Sequence, residues 1–169
     1  GYLAAKLKAR PWRDYAGQMA DLSPLLPAEF TMEGDFNEFL RTTTLAVPYL
    51  RQLETVPNVV MHESPLPQGD IEANATVRAR ISRPIAMHYG NPSLQVAVRE
   101  RVCDGFVIGG DAAGIMRQAG AAAEVNKPFF LQMVGTGLTT ALMLHFGAVL
   151  THAIWPAVTC LNIYTDDLI

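Results

Sequence analysis

Seven short apolar runs, each closed by polar or glycine residues, recur along the chain. They begin with residues 3–8 (LAAKLK), 30–35 (FTMEGD), 59–63 (VVMHE) and 84–88 (PIAMH), and continue with 106–110 (FVIGG), 129–132 (FFLQ) and 160–163 (CLNI). Their polar ends, at positions 8, 35, 63, 88, 109, 132 and 162, lie 27, 28, 25, 21, 23 and 30 residues apart. One strand, one helix and two loops fill such a step. The pattern predicts repeated βα units with function at the C-terminal ends of the strands, the arrangement of a TIM-type barrel.

The runs predict strands over 2–8, 29–33, 59–62, 85–87, 106–108, 128–131 and 158–163. Between them, helical spacing predicts helices over 13–22, over 38–55 with Pro48 disturbing its middle, and over 71–80 with Asp70 as cap. Further helices are expected from Asn91-Pro92-Ser93 to Arg101, over 114–124, and from Gly135-Thr136-Gly137 to about Leu150. Residues 138–150 are apolar nearly all round, which suits a large core or an oligomer interface.

Length sharpens the fold class. A complete eight-unit barrel typically takes about 250 residues, and 169 residues leave room for about seven strands. The expectation is an incomplete α/β barrel belonging to a larger polypeptide, with the first strand absent. No linker, low-complexity tract or charge block divides it, so residues 1–169 are expected to form a single domain.

Half of the residues are hydrophobic and 17% are charged, as in a globular chain. A net charge of -3 offers no footprint for nucleic acid and directs attention to a small molecule or another protein surface. Cys103 and Cys160, each at the start of an expected strand, lack C-x-x-C spacing and read as buried free thiols. No apolar run reaches 18 residues, and no signal-like segment opens the chain, so no membrane span and a cytoplasmic setting are expected.

Chemistry is sought at the strand ends. Lys6 and Lys8, two apart on a strand, share a face. Mutual repulsion and desolvation would lower their pKa values and make a base near neutral pH, the alternative being two ordinary lysines on an edge strand. Asp35 and Glu63 both follow apolar runs and would bring oxygen ligands for a hard divalent ion, or else serve as a helix cap and a strand end. His88 could complete a metal site or sit hydrogen-bonded at the barrel mouth. Strand alternation turns His62 toward the helices, and His145 and His152 are expected to pack. The stretch Gly109-Gly110-Asp111-Ala112-Ala113-Gly114 has the composition of a phosphate-cradling loop without its spacing, and tight packing of a βα turn explains it as well.

The order of these residues is more telling than any one of them. Lys6-Leu7-Lys8, then Asp35-Phe36-Asn37, then Glu63-Ser64-Pro65, then Pro84-Ile85-Ala86-Met87-His88 resembles the barrel domain of the enolase superfamily, in its mandelate racemase and muconate lactonizing branch. The resemblance covers nearly the whole chain and implies an N-terminal capping domain outside it. It implies abstraction of the proton alpha to a carboxylate, with Mg2+ stabilising the enediolate. Lys8 is then the base, Lys6 tunes it, Asp35, Glu63 and His88 are metal ligands, and Asn37 and Gln132 contact substrate. The implied partner is a small carboxylate such as an acid sugar, acted on by a homo-oligomer. Departures from the family pattern are His88 at the third ligand, Gly109-Gly110 on the sixth barrel strand, Gln132 on the seventh and Asn162 on the eighth. No base faces Lys8, so a one-face reaction of the dehydratase type is expected over racemisation. The alternatives are a homologue acting as a binding or structural protein, and an unrelated barrel with a phosphate site at Gly109-Gly110.

Overall fold

Short runs rich in β-branched, Met and Phe residues form the strands, and the amphipathic stretches between them form helices, in strict alternation. The computed structural model describes residues 2–163 and 165. They group into two units, Gly1–Asp104 and Gly105–Ile169.

In the first unit, four strands, β1 (Ala4–Lys8), β2 (Thr31–Asp35), β3 (Val59–Glu63) and β4 (Ile85–His88), pair in sequence order and all run parallel. Parallel neighbours need a crossover, and α1 (Tyr15–Leu22), α2 (Thr43–Leu53) and α3 (Ile71–Arg78) supply it. The short helix α4 (Leu94–Arg99) follows β4. Strands covered on both faces bury successive residues, and Ile85, Ala86 and Met87 are all buried. The apolar stripe of α2, Ala46, Val47, Leu50 and Leu53, is buried as well.

The helices start where short polar side chains can accept their free N–H groups. Asp14, Thr42 and Asp70 accept from the N–H groups of Gly17, Leu45 and Ala73. This corrects the expected helix over 38–55, which starts only at Thr43. Asn37, Glu38 and Arg41 have positive φ values of 45°, 66° and 58°, outside the helical region. Their backbone follows the next loop instead, Glu38 N–H donating to Ser64 O at 2.8 Å and Leu40 N–H to Pro65 O at 3.3 Å. Phe39 and Leu40, spaced as helix residues, belong to that loop.

In the second unit, β5 (Gly105–Ile108) pairs parallel with β6 (Phe129–Leu131), joined by α5 (Ala112–Glu124), whose N-terminus Asp111 caps through Gly114 N–H at 2.6 Å. Phe106, Ile108, Ile115, Phe129 and Phe130 are buried. Helix α6 (Gly137–Val149) buries Gly137 and Met143, while Leu138, Leu142, Leu144 and Val149 are exposed on this chain. His145 is also exposed, with Nδ1 on Ala141 O at 2.7 Å, so it does not pack as expected. His152 bonds Asn126 Oδ1 at 3.2 Å.

The expected strand over 158–163 does not form. Val158 alone bridges Gln132, and Leu161–Ile163 closes into a 3-10 turn, with Ile163 N–H donating locally to Cys160 O at 3.2 Å rather than to a neighbouring strand. Cys160 is therefore partly exposed before a turn, not buried at a strand start, whereas Cys103 is buried; neither is in a disulfide. Among the described residues no helix is long and apolar enough to cross a membrane.

Candidate active site

Parallel register puts the first candidates together. Lys8 pairs with Asp35 across β1 and β2, Lys6 with Glu33, and Asp35 with Glu63 across β2 and β3. Partners in a parallel register share a face, so lysines and acids converge. A register shift is essential to this. The β2–β3 ladder pairs Met32 with Val59 but Glu33 with Met61, leaving Val60 as the extra residue. Carried straight on from Met32–Val59, the count would set His62 opposite Asp35. The shift sets Glu63 there and turns His62 to the other face.

Contacts follow from that register. The Lys6 ammonium bridges the two acids, 3.0 Å from Asp35 Oδ2 and bonded to Glu63 Oε2. Lys8 donates to the same Asp35 Oδ2. His88 Nε2 lies 3.1 Å from Glu63 Oε1. Asp35 Oδ1 accepts the Asn37 N–H at 3.0 Å. The acids are wholly buried, Lys6 is 7% exposed, and Lys8 and His88 are about half exposed at 46% and 45%. Buried carboxylates require compensation, and here two lysines provide it.

Two acidic groups on this face carry different charges. Burial first, then a hydrogen bond to Glu63 and its charge, push the Glu33 carboxyl far above the ordinary range, so it is protonated. Burial pushes Glu63 up too, but hydrogen bonds from His88 and Glu33 and the Lys6 charge outweigh it and hold Glu63 ionised. Burial also pulls Lys6 down, yet Glu63, Asp35 and Glu33 more than offset that and raise its pKa. This corrects the expectation that Lys6 would be a depressed lysine: an acid pair, rather than a second ammonium, dominates its surroundings.

Glu33 was not among the sequence candidates, although its spacing of two from Asp35 places it on the same face. Gln68 was not visible either. It is buried, and its Oε1 accepts the His88 N–H at 2.6 Å and the Ser64 hydroxyl at 3.1 Å, holding the end of β4 to the loop after β3. Only tertiary contact reveals it.

The remaining candidates have contacts of their own. The Asn37 side chain is exposed and accepts from Arg10 Nη1 at 3.2 Å. Gln132 lies at the end of β6 in the second unit, against Val158 and Gly109. His62 is buried, as alternation predicts, with its ring 5.8 Å from that of Phe36. Gly109 packs so tightly that a Cβ there would lie 2.5 Å from Gln132 O, and Gly110 has φ +109°, so this stretch is a packed βα turn. The Asn162 side chain lies outside the described residues.

Asp35 and Glu63 suit a hard divalent ion: two carboxylates on one face already share one cation, and magnesium needs only one or two protein carboxylates beside water and substrate. The His88 Nε2 faces Glu63, and among the described residues no group of three or more His, Cys, Asp or Glu side chains is placed to hold an ion.

No family model and no curated protein matches the chain. Solved structures do. A mandelate racemase/muconate lactonizing family protein from an Azoarcus species is 24% identical with TM-score 0.78, over 93% of this chain and 44% of that one. A dipeptide epimerase from Cytophaga hutchinsonii, in complex with Mg and D-Ala-L-Val, is 15% identical with TM-score 0.82, over 99% and 47%. A muconate cycloisomerase from Pseudomonas fluorescens is 16% identical with TM-score 0.79, over 91% and 45%. The chain spans under half the length of each of these proteins. Its architecture is an incomplete α/β barrel of the TIM type. The chain therefore carries the fold of the mandelate racemase/muconate lactonizing branch of the enolase superfamily.

Proposed function

We propose that this chain is the barrel part of a member of that branch, and that it removes the proton alpha to a carboxylate. The observation that carries the reading is the convergence of Lys6, Lys8, Asp35 and Glu63 on one strand face. Asp35 and Glu63 would hold Mg2+, which when bound supplies positive charge to a substrate carboxylate. His88 orients Glu63. Lys8, half exposed at the end of β1, accepts the proton after giving its own to solvent: the C–H bond breaks, an N–H bond forms, and the electron pair spreads into the substrate carboxylate. Lys6 lies deeper and keeps its charge, countering the negative charge that develops.

Support for a one-face outcome is the chemistry of the other strand ends. Gly109, Gly110 and Gln132 carry no group that titrates, so a β-elimination of the dehydratase type, on an acid sugar or related carboxylate, is the reading we favour. The names of the epimerase and the cycloisomerase favour isomerisation as a second outcome of the same first step. A cytoplasmic homo-oligomer, with the α6 leucines covered by a further surface, belongs to the same proposal. The test is proton–deuterium exchange in heavy water over a panel of acid sugars and N-acyl amino acids. Exchange that needs Mg2+ and is lost in Lys8→Met supports the reading. Exchange that persists in that variant removes Lys8 as base, and a protein without exchange on any carboxylate leaves the binding role that lacks chemistry.

A further inference from the structure

The acid pair on the strand face is already held by cations of the chain itself. Asp35 and Glu63 are wholly buried, with the Lys6 ammonium against both and the Lys8 ammonium against Asp35. Lys6 does not stand beside the acid pair as a substrate contact would. It lies between Asp35 Oδ2 and Glu63 Oε2, almost wholly buried, while Lys8 reaches Asp35 alone from a half-exposed position. A divalent ion drawing on the same two oxygens meets a cation already there. Two cations at one oxygen pair repel strongly at such separations.

We propose that Lys6 is the resident counter-cation of the Asp35–Glu63 pair and competes with the divalent ion for it, so that ion binding turns the Lys6 ammonium away from those oxygens. This rests on the ion site of the proposed function and adds to it a role for Lys6 toward the ion. It gives the site two states, one closed by lysine and one by metal, and makes the freed ammonium available to a substrate carboxylate only once the ion is in place.

The experiment is Mn2+ binding, followed by electron paramagnetic resonance, to the unsubstituted protein and to Lys6→Met and Lys8→Met. Lys6→Met keeps the side-chain stem and removes the charge. It should bind Mn2+ at least about tenfold more tightly, and its melting temperature should fall in chelator and recover with Mn2+. Lys8→Met should change Mn2+ affinity less. A second measurement needs no variant: acetylation of Lys6 by acetic anhydride, read by peptide mass spectrometry, should rise when Mn2+ is added. Lys6→Met binding Mn2+ no better than the unsubstituted protein, or Lys6 acetylation unmoved by bound Mn2+, overturns the proposal and leaves the ion site standing. Absence of Mn2+ binding in every form overturns both.

Discussion

Asp35 stands opposite Glu63 in the β2–β3 register, and both carboxylates bond the single ammonium of Lys6. The arrangement depends on one extra residue in β3, because without the shift at Val60 the strand would present His62 at that place. Site and fold are thus tied together at one irregularity in the ladder.

Lys8→Met should abolish alpha-proton exchange while leaving the fold intact. Lys8 is half exposed and its buried partner Asp35 keeps the Lys6 ammonium, so the cost should stay below the about 3–5 kcal/mol of breaking a fully buried pair. Urea unfolding should move by no more than that, whereas exchange, measured by NMR in heavy water, should fall to background. A variant that unfolds at much lower urea would mean that Lys8 is structural.

Glu33→Gln separates the protonated acid from the ionised one. A neutral amide can still donate to Glu63, so the substitution should cost less than about 1 kcal/mol at neutral pH, while Glu63→Gln, which strips the partner from a buried ammonium, should cost about 3–5 kcal/mol. The pH profile gives a sharper check. Glu33 has its pKa raised in the folded state, so its contribution is full below the ordinary carboxyl value and is lost as pH rises toward the folded one. Thermal melts between pH 5 and 9 should show that decline in the unsubstituted protein and a flatter profile in Glu33→Gln.

His62 governs the acid side. Burial drives its pKa down to about 4, despite the opposing charge of Glu54, and neither ring nitrogen has a hydrogen-bond partner. An unfolded histidine titrates near 6.5, so the unfolded chain binds the proton first. Stability should therefore fall as pH drops from about 6.5 to 4, by about 3 kcal/mol in all. His62→Phe removes the titrating group and the unsatisfied nitrogens, keeps an aromatic ring against Phe36, and should flatten that acid limb. An acid limb as steep as before in melts of the His62→Phe variant would show that another group causes it.

Much of this was legible in the sequence. Period and punctuation located six strands, because a strand covered on both faces must be a short apolar run. Asp70 marked its helix start, and the two-residue spacing of Lys6 and Lys8 placed both on the face where the acids lie. What escaped depends on contacts between distant segments. The delayed start of α2 follows from backbone bonds to Ser64 and Pro65, the shift at Val60 from pairing with β2, and the role of Gln68 from a loop meeting β4. The last apolar run, residues 160–163, has the composition of a strand, but Cys160 and Ile163 bond each other into a turn.

Gly109→Ala tests the packed-turn reading. A Cβ at 2.5 Å from a backbone oxygen forces the turn or β6 to shift, at a cost of about 1–3 kcal/mol. Denaturant unfolding should register that loss, and phosphate should protect neither form. Phosphate-dependent stabilisation lost in the alanine variant would instead support a phosphate site there.

The most direct measurement is a calorimetric titration of Mg2+ into the unsubstituted protein and into Asp35→Asn and Glu63→Gln. The expected result is one saturable site per chain, lost in both variants. Heat of binding that is absent at millimolar Mg2+, or that survives unchanged in both variants, would contradict the ion site at Asp35 and Glu63.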